Sequence, residues 1–187
     1  MTRTRTETGS CRSAVFLDRD GTLLDDPGYL ANPDGIVFFS EVIDSLKRLR
    51  EAGYLLMVIT NQSGVGRGYF DEETGIAVNL RMADMLREQG VELAGIYYCS
   101  HHPDDGCLCR KPGTLMAGRA IRDHGVQRES SWMIGDTVKD ILMGMKAGLR
   151  PIMLMTGKLP KEDIPVGVPV KKDLGEAAQY VIGEGGQ

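Results

Sequence analysis

The stretch VFLDRDGTLLD, residues Val15 to Asp25, decides how the rest of the chain is interpreted. Its apolar start is typical of a strand that is buried on both faces, as in a parallel sheet. The strand runs straight into two carboxylates, Asp18 and Asp20, and Gly21 follows as a turn residue. Taken alone, this pattern fits either a solvated acidic turn or the edge of a functional site. The rest of the chain has to decide between the two.

The remainder of the sequence alternates apolar runs with amphipathic segments. Further strands are predicted at residues 54–60, 94–99, 131–136 and 150–156, and helices at residues 40–53, 71–89, 113–124, 138–148 and 174–182. This alternation predicts an α/β fold, a single Rossmann-like three-layer sandwich with a central parallel sheet. We expect a disordered tail at residues 1–13, one domain at residues 14–187, a helix N-cap at Ser40 and a loop at residues 157–170.

Composition and charge exclude several classes of protein. The 187 residues are 42% hydrophobic and carry a net charge of −4. This acidic balance argues against a nucleic-acid partner, and no apolar run is long enough to span a membrane. The polar N-terminus lacks the apolar core of a secretory signal, so we expect a cytoplasmic location. A small acidic domain of this kind is expected to be a monomer.

Polar side chains follow each of the first four predicted strands. They are Asp18 and Asp20, then Thr60 and Asn61, then Cys99, His101, Arg110 and Lys111, and then Asp136 and Asp140. The carboxyl ends of parallel strands meet at one edge of the sheet, which is where ligands bind in such folds. Carboxylates gathered there repel one another, and Mg²⁺ with its oxygen ligands would relieve the repulsion. A carboxylate can also act as a nucleophile towards phosphorus.

A run of cysteines and histidines follows the third predicted strand. It consists of Cys99, His101, His102, Cys107 and Cys109. Three cysteines and one histidine within eleven residues are typical of a closed tetrahedral Zn²⁺ site with a structural role, and the spacing leaves open which histidine is the ligand. The alternative is a redox pair or a set of idle buried thiols. Zinc here would fix the loop that leads directly into Arg110 and Lys111.

Four short motifs carry a family resemblance. They are DRDGTL at residues 18–23, VITN at 58–61, RKP at 110–112 and GDTVKD at 135–140. In this order and at this spacing they resemble the four motifs of the haloacid dehalogenase-like phosphohydrolases, from about residue 14 to residue 156. The resemblance implies an enzyme that removes a phosphate with the help of Mg²⁺.

The resemblance also implies a role for each matching residue. Asp18 would be the nucleophile and a Mg²⁺ ligand. Asp20 would be the general acid and base, with its backbone carbonyl on the metal. Asp136 would be the second metal carboxylate, and Thr60 and Lys111 would hold the phosphoryl oxygens.

Three further expectations complete the predicted site. Asp140 lies one helical turn beyond Asp136 and is interpreted as orienting Lys111. The Cys-x-His pattern of the matching family members implies that His101 is the zinc ligand. Many members insert a cap domain after the first motif or the third strand, whereas both gaps are short here. We therefore expect a capless domain with an open mouth.

The loops around that mouth predict a small phosphorylated sugar as substrate. NQSGVGRGYF at residues 61–70 resembles a loop of family members that act on a sugar bisphosphate, whereas members that act on histidinol phosphate tend to carry an acidic residue in place of Ser63. Arg67 and Arg110 could meet a second phosphate. The other candidate substrate ligands are Asn61, Gln62 and Ser63, together with Asp26, Gly28 and Tyr29, which the resemblance places in a second substrate-facing loop.

Two other functions stay open at this stage. One is the same chemistry on histidinol phosphate or on a nucleic-acid 3′-phosphate, and the acidic charge counts against the latter. The other is a zinc-stabilised binding module without activity, and the presence of all five catalytic and metal-binding positions of the motifs counts against it.

Overall fold

Six strands form one sheet in the computed structural model, which describes residues 12–25, 28–157 and 163–185. They are β1 (Ala14–Leu17), β2 (Leu55–Asn61), β3 (Gly95–Cys99), β4 (Trp132–Gly135), β5 (Arg150–Leu154) and β6 (Val170–Lys171). The strands lie in the order β3-β2-β1-β4-β5-β6, and every neighbouring pair is parallel. The strand order therefore reverses between β1 and β4, which is the position where such sheets bind ligands.

Helices cover both faces of this sheet. They are α1 (Val42–Glu51), α2 (Ser63–Gly66), α3 (Glu72–Glu88), α4 (Leu115–His124), α5 (Val138–Ala147) and α6 (Leu174–Gly185), with 3-10 turns at Pro33–Gly35 and Pro103–Asp105. The apolar sides of α1, α3 and α6 share one core cluster with the sheet, and those of α4 and α5 share the other. The predicted three-layer α/β sandwich is confirmed.

The four residues of β1 divide their side chains between the two cores. Val15 and Leu17 belong to the cluster under α1, α3 and α6, whereas Ala14 and Phe16 belong to the cluster under α4 and α5. Burial on both faces is the reason that the strand is apolar throughout. The next residue, Asp18, still donates its backbone N–H to the β4 carbonyl of Ile134 at 3.0 Å. Its carboxylate is thereby fixed at the edge of the sheet.

The N-terminus of α1 differs from the prediction. Ser40 does not cap the helix; its hydroxyl donates to the Glu41 carboxylate at 3.2 Å. The N-cap residue is Glu41, whose backbone is already helical (φ −89°, ψ −7°) and whose side chain makes no capping bond. An extended backbone is what lets a serine side chain reach back to a helix N-terminus, and the approach to α1 lacks it.

The two predicted loops contain short regular elements. Residues 157–170 were expected to be a loop throughout, but Val170 begins β6 and pairs with Met153 of β5. The loop at residues 61–70 contains the single turn of α2. A two-residue strand and a four-residue helix are too short to show a hydrophobic period.

Arg12 and Ser13 are bonded to the domain, although the sequence placed them in the tail. Arg12 donates its backbone N–H to the carbonyl of Gly125 at 3.3 Å, and the Ser13 carbonyl accepts from Leu55 N at 3.0 Å. The rest of that tail, residues 1–11, lies outside the described residues.

The two connections in which a cap domain was considered are short. In their described residues, the β1–α1 and β3–α4 connections each contain one 3-10 turn as their only helical element, so the predicted capless architecture is confirmed there. In the described ranges, none of the helices is both long and apolar enough to cross a membrane.

Candidate active site

Lys111 lies at the centre of a buried polar cluster beside the reversal point of the sheet. Its Nζ is 2.7 Å from Asp18 Oδ1 and 2.6 Å from Asp140 Oδ1, and it donates to the carbonyl of Ile59 at 2.8 Å. An ammonium group has three hydrogens, so these three oxygens fix its position. Lys111 is 3% exposed and Asp140 0%. The predicted partners Asp18, Lys111 and Asp140 are thus brought into direct contact.

Burial dominates the electrostatics of this cluster. It is the main reason that the pKa of Asp18 is raised to about 8; the charge of Lys111 lowers that pKa, and the charges of Asp140 and Asp136 raise it. Burial would lower the pKa of Lys111, but attraction to Asp140 and Asp18 outweighs it and raises the pKa. Lys111 therefore stays charged, and one cation faces three carboxyl groups.

This surplus of acidic groups fits a divalent cation, whose charge would favour the ionised form of Asp18. Asp18, Asp136 and Asp140 each offer an oxygen, and these oxygens lie within 4.8 Å of one another. Asp140 is already occupied, because its Oδ2 accepts from Thr137 N at 3.1 Å and from Thr137 Oγ1 at 2.5 Å while Oδ1 faces Lys111. Asp18 and Asp136 are therefore the residues best suited to hold Mg²⁺, which usually takes one or two protein carboxylates.

Two glycines leave the space that the Asp136 carboxylate occupies. A Cβ atom on Gly21 or on Gly157 would overlap Asp136 Oδ2. Gly21 also has φ = +79°, a conformation that residues with a side chain rarely adopt. Its carbonyl accepts from Thr156 Oγ1 at 2.5 Å, which ties this turn to the end of β5. Gly21 therefore allows the tight turn after β1 and also leaves room for the carboxylate of Asp136, which follows β4.

Asp20 is held by a residue that the sequence analysis missed. Arg19 donates from Nε to Asp20 Oδ1 at 3.0 Å and from Nη2 to Asp20 Oδ2 at 2.9 Å. Arg19 is 0% exposed, although an arginine between two aspartates on a strand end is normally expected in solvent. Its signal in the sequence is weak, because burial here depends on partners that are distant in the chain.

Gln62 and Asn61 were predicted to bind sugar oxygens, and their amides are bonded to protein groups. Gln62 Nε2 donates to Asp20 Oδ2 and to Thr60 Oγ1, both at 2.8 Å. Asn61 Oδ1 accepts from Lys111 N at 3.0 Å, and its Nδ2 donates to Lys111 O at 3.3 Å. The two amides therefore position the catalytic candidates Asp20, Thr60 and Lys111.

A cavity of about 280 Å³ opens beside these residues. It is lined by Asp20, Gly28, Tyr29, Leu30, Asn61, Gln62 and Ser63. The Tyr29 ring meets Tyr69 edge-on, with 4.7 Å between centroids, so the two predicted substrate loops form one wall. Asp26, the remaining candidate of the first loop, lies outside the described residues.

The two candidate arginines differ in their surroundings. Arg110 is half-buried, and within the described structure its Nη1 is a buried donor without a hydrogen-bond partner. Such a donor next to Lys111 is suited to an anion or a hydroxyl oxygen of a ligand. Arg67 is exposed beyond the end of α2, and neither arginine is among the residues that line the cavity.

The Cys/His residues form a compact cluster. The Sγ atom of Cys107 lies 3.6 Å from those of Cys99 and Cys109, and the latter two are 2.8 Å apart. His101 Nδ1 is 3.5 Å from Cys99 Sγ and 3.2 Å from Cys109 Sγ. Zinc–sulfur bonds of about 2.3 Å imply sulfur separations of about 3.8 Å, so the cluster fits a Zn²⁺ ion after a small expansion.

The second histidine, His102, makes hydrogen bonds to the backbone and side chain of its own loop. His102 Nδ1 accepts from Asp104 N at 3.2 Å, and the Asp105 carboxylate accepts from His102 N at 2.9 Å. His102 thereby caps the 3-10 turn at Pro103–Asp105. The geometry favours His101 as the zinc ligand.

The cysteine cluster is packed against the substrate loop. A Cβ atom on Gly66 of α2 would overlap the backbone of His101 and His102, so the two loops are in direct backbone contact. Cys109 is followed at once by Arg110 and Lys111. A metal bound here would hold both the cations and the neighbouring loop in place.

Comparison with known proteins agrees with this geometry. A family model described as HAD-hydrolase-like matches residues 108–177, which include Lys111, Asp136 and Asp140. The D-glycero-beta-D-manno-heptose-1,7-bisphosphate 7-phosphatase of Pasteurella multocida (strain Pm70) is 38% identical over 177 residues, covering 91% of this chain and 91% of the relative. The chain belongs to the haloacid dehalogenase-like hydrolases.

Other members of this family resemble the chain to a similar degree. An enzyme with the same name from Haemophilus influenzae is 42% identical over 152 residues, covering 78% of this chain and 83% of the relative. The crystal structure of a D,D-heptose 1,7-bisphosphate phosphatase from B. bronchiseptica, complexed with magnesium and phosphate, has a TM-score of 0.84 at 31% identity and covers 92% of this chain and 99% of that one. Within the family, this chain is a phosphoric monoester hydrolase.

Replacing Asp140 by Asn tests the buried ion pair. The variant removes one of the two negative charges beside Lys111. If the amide nitrogen takes the place of Oδ2, it would face the N–H of Thr137, and two donors would then meet. We expect the free energy of unfolding to fall by about 3 kcal/mol, the usual size for breaking a buried pair, and kcat to fall at least tenfold because Lys111 is no longer fixed. Urea unfolding and steady-state kinetics measure the two effects, with exposed Asp44→Asn as the matched control. Wild-type kcat in the folded variant would contradict the role of Asp140.

The neighbouring histidines provide a matched test of the zinc site. We expect wild type and His102→Asn to purify with one zinc per chain, and His101→Asn to lose most of it, because only His101 points at the thiols. Elemental analysis gives the stoichiometry, and thermal unfolding should show a lower Tm for His101→Asn alone. Equal zinc content in the two variants, or no zinc in wild type, would refute the assignment.

Proposed function

We propose that the chain is a Mg²⁺-dependent phosphatase that removes the 7-phosphate of D-glycero-D-manno-heptose 1,7-bisphosphate through an aspartyl-phosphate. The observation that carries the reaction is the contact of Asp18 with Lys111, beside Asp136, at the reversal point of the sheet. A carboxylate, a fixed cation and a metal-binding carboxylate are the groups that phosphoryl transfer needs. The names of the similar enzymes support the substrate.

Each step can be assigned to a side chain. A carboxylate oxygen of Asp18 attacks phosphorus, the bond from phosphorus to the sugar oxygen breaks, and Asp20 gives that oxygen a proton. Asp20 then takes a proton from water, which attacks the aspartyl-phosphate and releases inorganic phosphate. Asp18 and Asp136 would hold Mg²⁺, which would neutralise charge on the phosphoryl oxygens.

The phosphoryl group would be oriented by groups that are already fixed. Lys111 supplies a positive charge whose position is set by three oxygens. Thr60 Oγ1 accepts a hydrogen bond from Gln62, so its own hydrogen is left to donate to a phosphoryl oxygen. Donors that are oriented before substrate arrives need no rearrangement in the transition state.

The surroundings of the cavity support a small, doubly charged sugar. Its volume of about 280 Å³ suits a single small molecule rather than a polymer. Arg110 does not line the cavity, but its buried Nη1 has no hydrogen-bond partner in the described structure and would be the donor to a second phosphate or a sugar hydroxyl. Position 63 carries a serine hydroxyl rather than the acidic side chain that would attract the cationic amine of histidinol phosphate.

A substrate panel with Mg²⁺ tests the assignment. We expect the highest kcat/KM for heptose 1,7-bisphosphate and lower values for fructose 1,6-bisphosphate, histidinol phosphate and a 3′-phosphorylated oligonucleotide, measured as released phosphate. Asp18→Asn should abolish turnover of every substrate because the nucleophile is lost, while exposed Asp44→Asn should not change it. Preference for histidinol phosphate would overturn the substrate, and turnover by folded Asp18→Asn would overturn the mechanism.

A further inference from the structure

A fully buried charge lies beneath the proposed acid and base. The guanidinium of Arg19 cannot lose its proton in a protein, so burying it requires hydrogen-bond partners on every side. Its ion-pair partner in the described residues is Asp20, which it grips through two parallel hydrogen bonds of 3.0 and 2.9 Å. A bidentate fork fixes the plane of a carboxylate as well as its position.

The far side of that guanidinium is held from α3. Arg19 Nη1 donates to Asn79 Oδ1 at 2.8 Å, and Asn79 is 4% exposed. It occupies the buried side of α3 beside Val78 and near Met82, where an apolar residue would satisfy the helix better. Its Nδ2 is buried without a hydrogen-bond partner in the described structure, which costs stability. The position of this asparagine thus serves Arg19 rather than the core.

Gln62 closes the network on the third side. Its Oε1 accepts from Arg19 Nη2 at 2.8 Å, and its Nε2 donates to Asp20 and Thr60. A continuous set of hydrogen bonds therefore runs from α3 through Arg19 to the carboxylate that lines the cavity. The Asp20 side chain is 24% exposed, so without this set it would be free to turn into water.

We propose that Asn79 is a positioning residue for the general acid and base: it fixes Arg19, and Arg19 holds the Asp20 carboxylate towards the substrate. The inference rests on the proposed function, because it takes Asp20 to be the group that protonates the leaving oxygen. Asn79 itself does not line the cavity, so it acts only through its partners.

The leaving group provides a readout that a loss of stability would not mimic. A sugar alkoxide needs a proton as it departs, whereas p-nitrophenolate is stable enough to leave with little help. In Asn79→Leu we expect kcat/KM for heptose 1,7-bisphosphate to fall about tenfold, a part of the effect of a complete general acid. The value for p-nitrophenyl phosphate should change less than about twofold, because little general-acid help is lost there. Leu is similar to Asn in size but cannot accept the hydrogen bond from Arg19, and Asn79→Ala serves in its place if the larger side chain prevents folding.

Four further variants make the test decisive. Asp20→Ala should show the same selective loss to a larger extent, and adding Asn79→Leu to it should cause no further loss, since both changes act through one carboxylate. Leu80→Ala, an exposed neighbour on α3, should leave both substrates unaffected. Asn79→Asp, which keeps the acceptor oxygen, should retain the wild-type ratio of the two kcat/KM values.

The outcomes separate the inference from the proposed function. Equal loss on both substrates in Asn79→Leu, or a further loss in the Asp20→Ala background, would overturn the positioning role alone. Asp20→Ala with wild-type turnover of the sugar substrate would overturn the proposed role of Asp20, and the inference with it.

Discussion

A lysine that is buried between two carboxylates is the interaction on which the rest of the site depends. Lys111 can lie there only because Asp18 and Asp140 bring opposite charge to within 2.7 Å, and the two aspartates can be buried only because Lys111 is present. The three groups come from the end of β1, the loop after β3 and the start of α5. Their mutual dependence ties together parts of the chain that otherwise share few polar contacts, and it makes the site a property of the whole sheet.

Around Lys111 and its two aspartates, many polar side chains bind other polar side chains and hold them in position. Asn61 binds the backbone of Lys111, Gln62 binds Asp20 and Thr60, and Arg19 binds Asp20. The cysteine cluster also holds functional residues in position, because it directly precedes Arg110 and Lys111 and its loop packs against α2. A phosphatase of the proposed kind needs donors that do not move when charge develops on phosphorus. The structure supplies that rigidity through side chains whose polar atoms are already bonded to other protein groups.

The features that could be predicted from the sequence are those that a short stretch of residues determines. Strand ends, apolar runs and short motifs located Asp18, Asp136 and Lys111 at one edge, because the topology of a parallel sheet dictates where strand ends meet. Arg19 and Asn79 gave no such signal, since their pairing crosses from one strand end to a distant helix. For Asn61 and Gln62, which stay predicted substrate ligands, the sequence shows that an amide is near the site but not which protein groups it also bonds. The N-cap predicted at Ser40 was wrong because residue type does not reveal the backbone conformation before α1, and β6 was missed because a strand of two residues shows no hydrophobic period.

The order of the strands has a consequence for how the protein is made. Asp18 follows β1, the first of the described strands to be synthesised, whereas Asp136 follows the neighbouring strand β4, which is the fourth. Until β4 inserts next to β1, one flank of the central strand has no partner and the acidic cluster is incomplete. A nascent chain therefore carries Asp18 through the synthesis of two further strands before Asp136 and Asp140 can join it, and the acidic cluster is completed only once β4 and the start of α5 have been made.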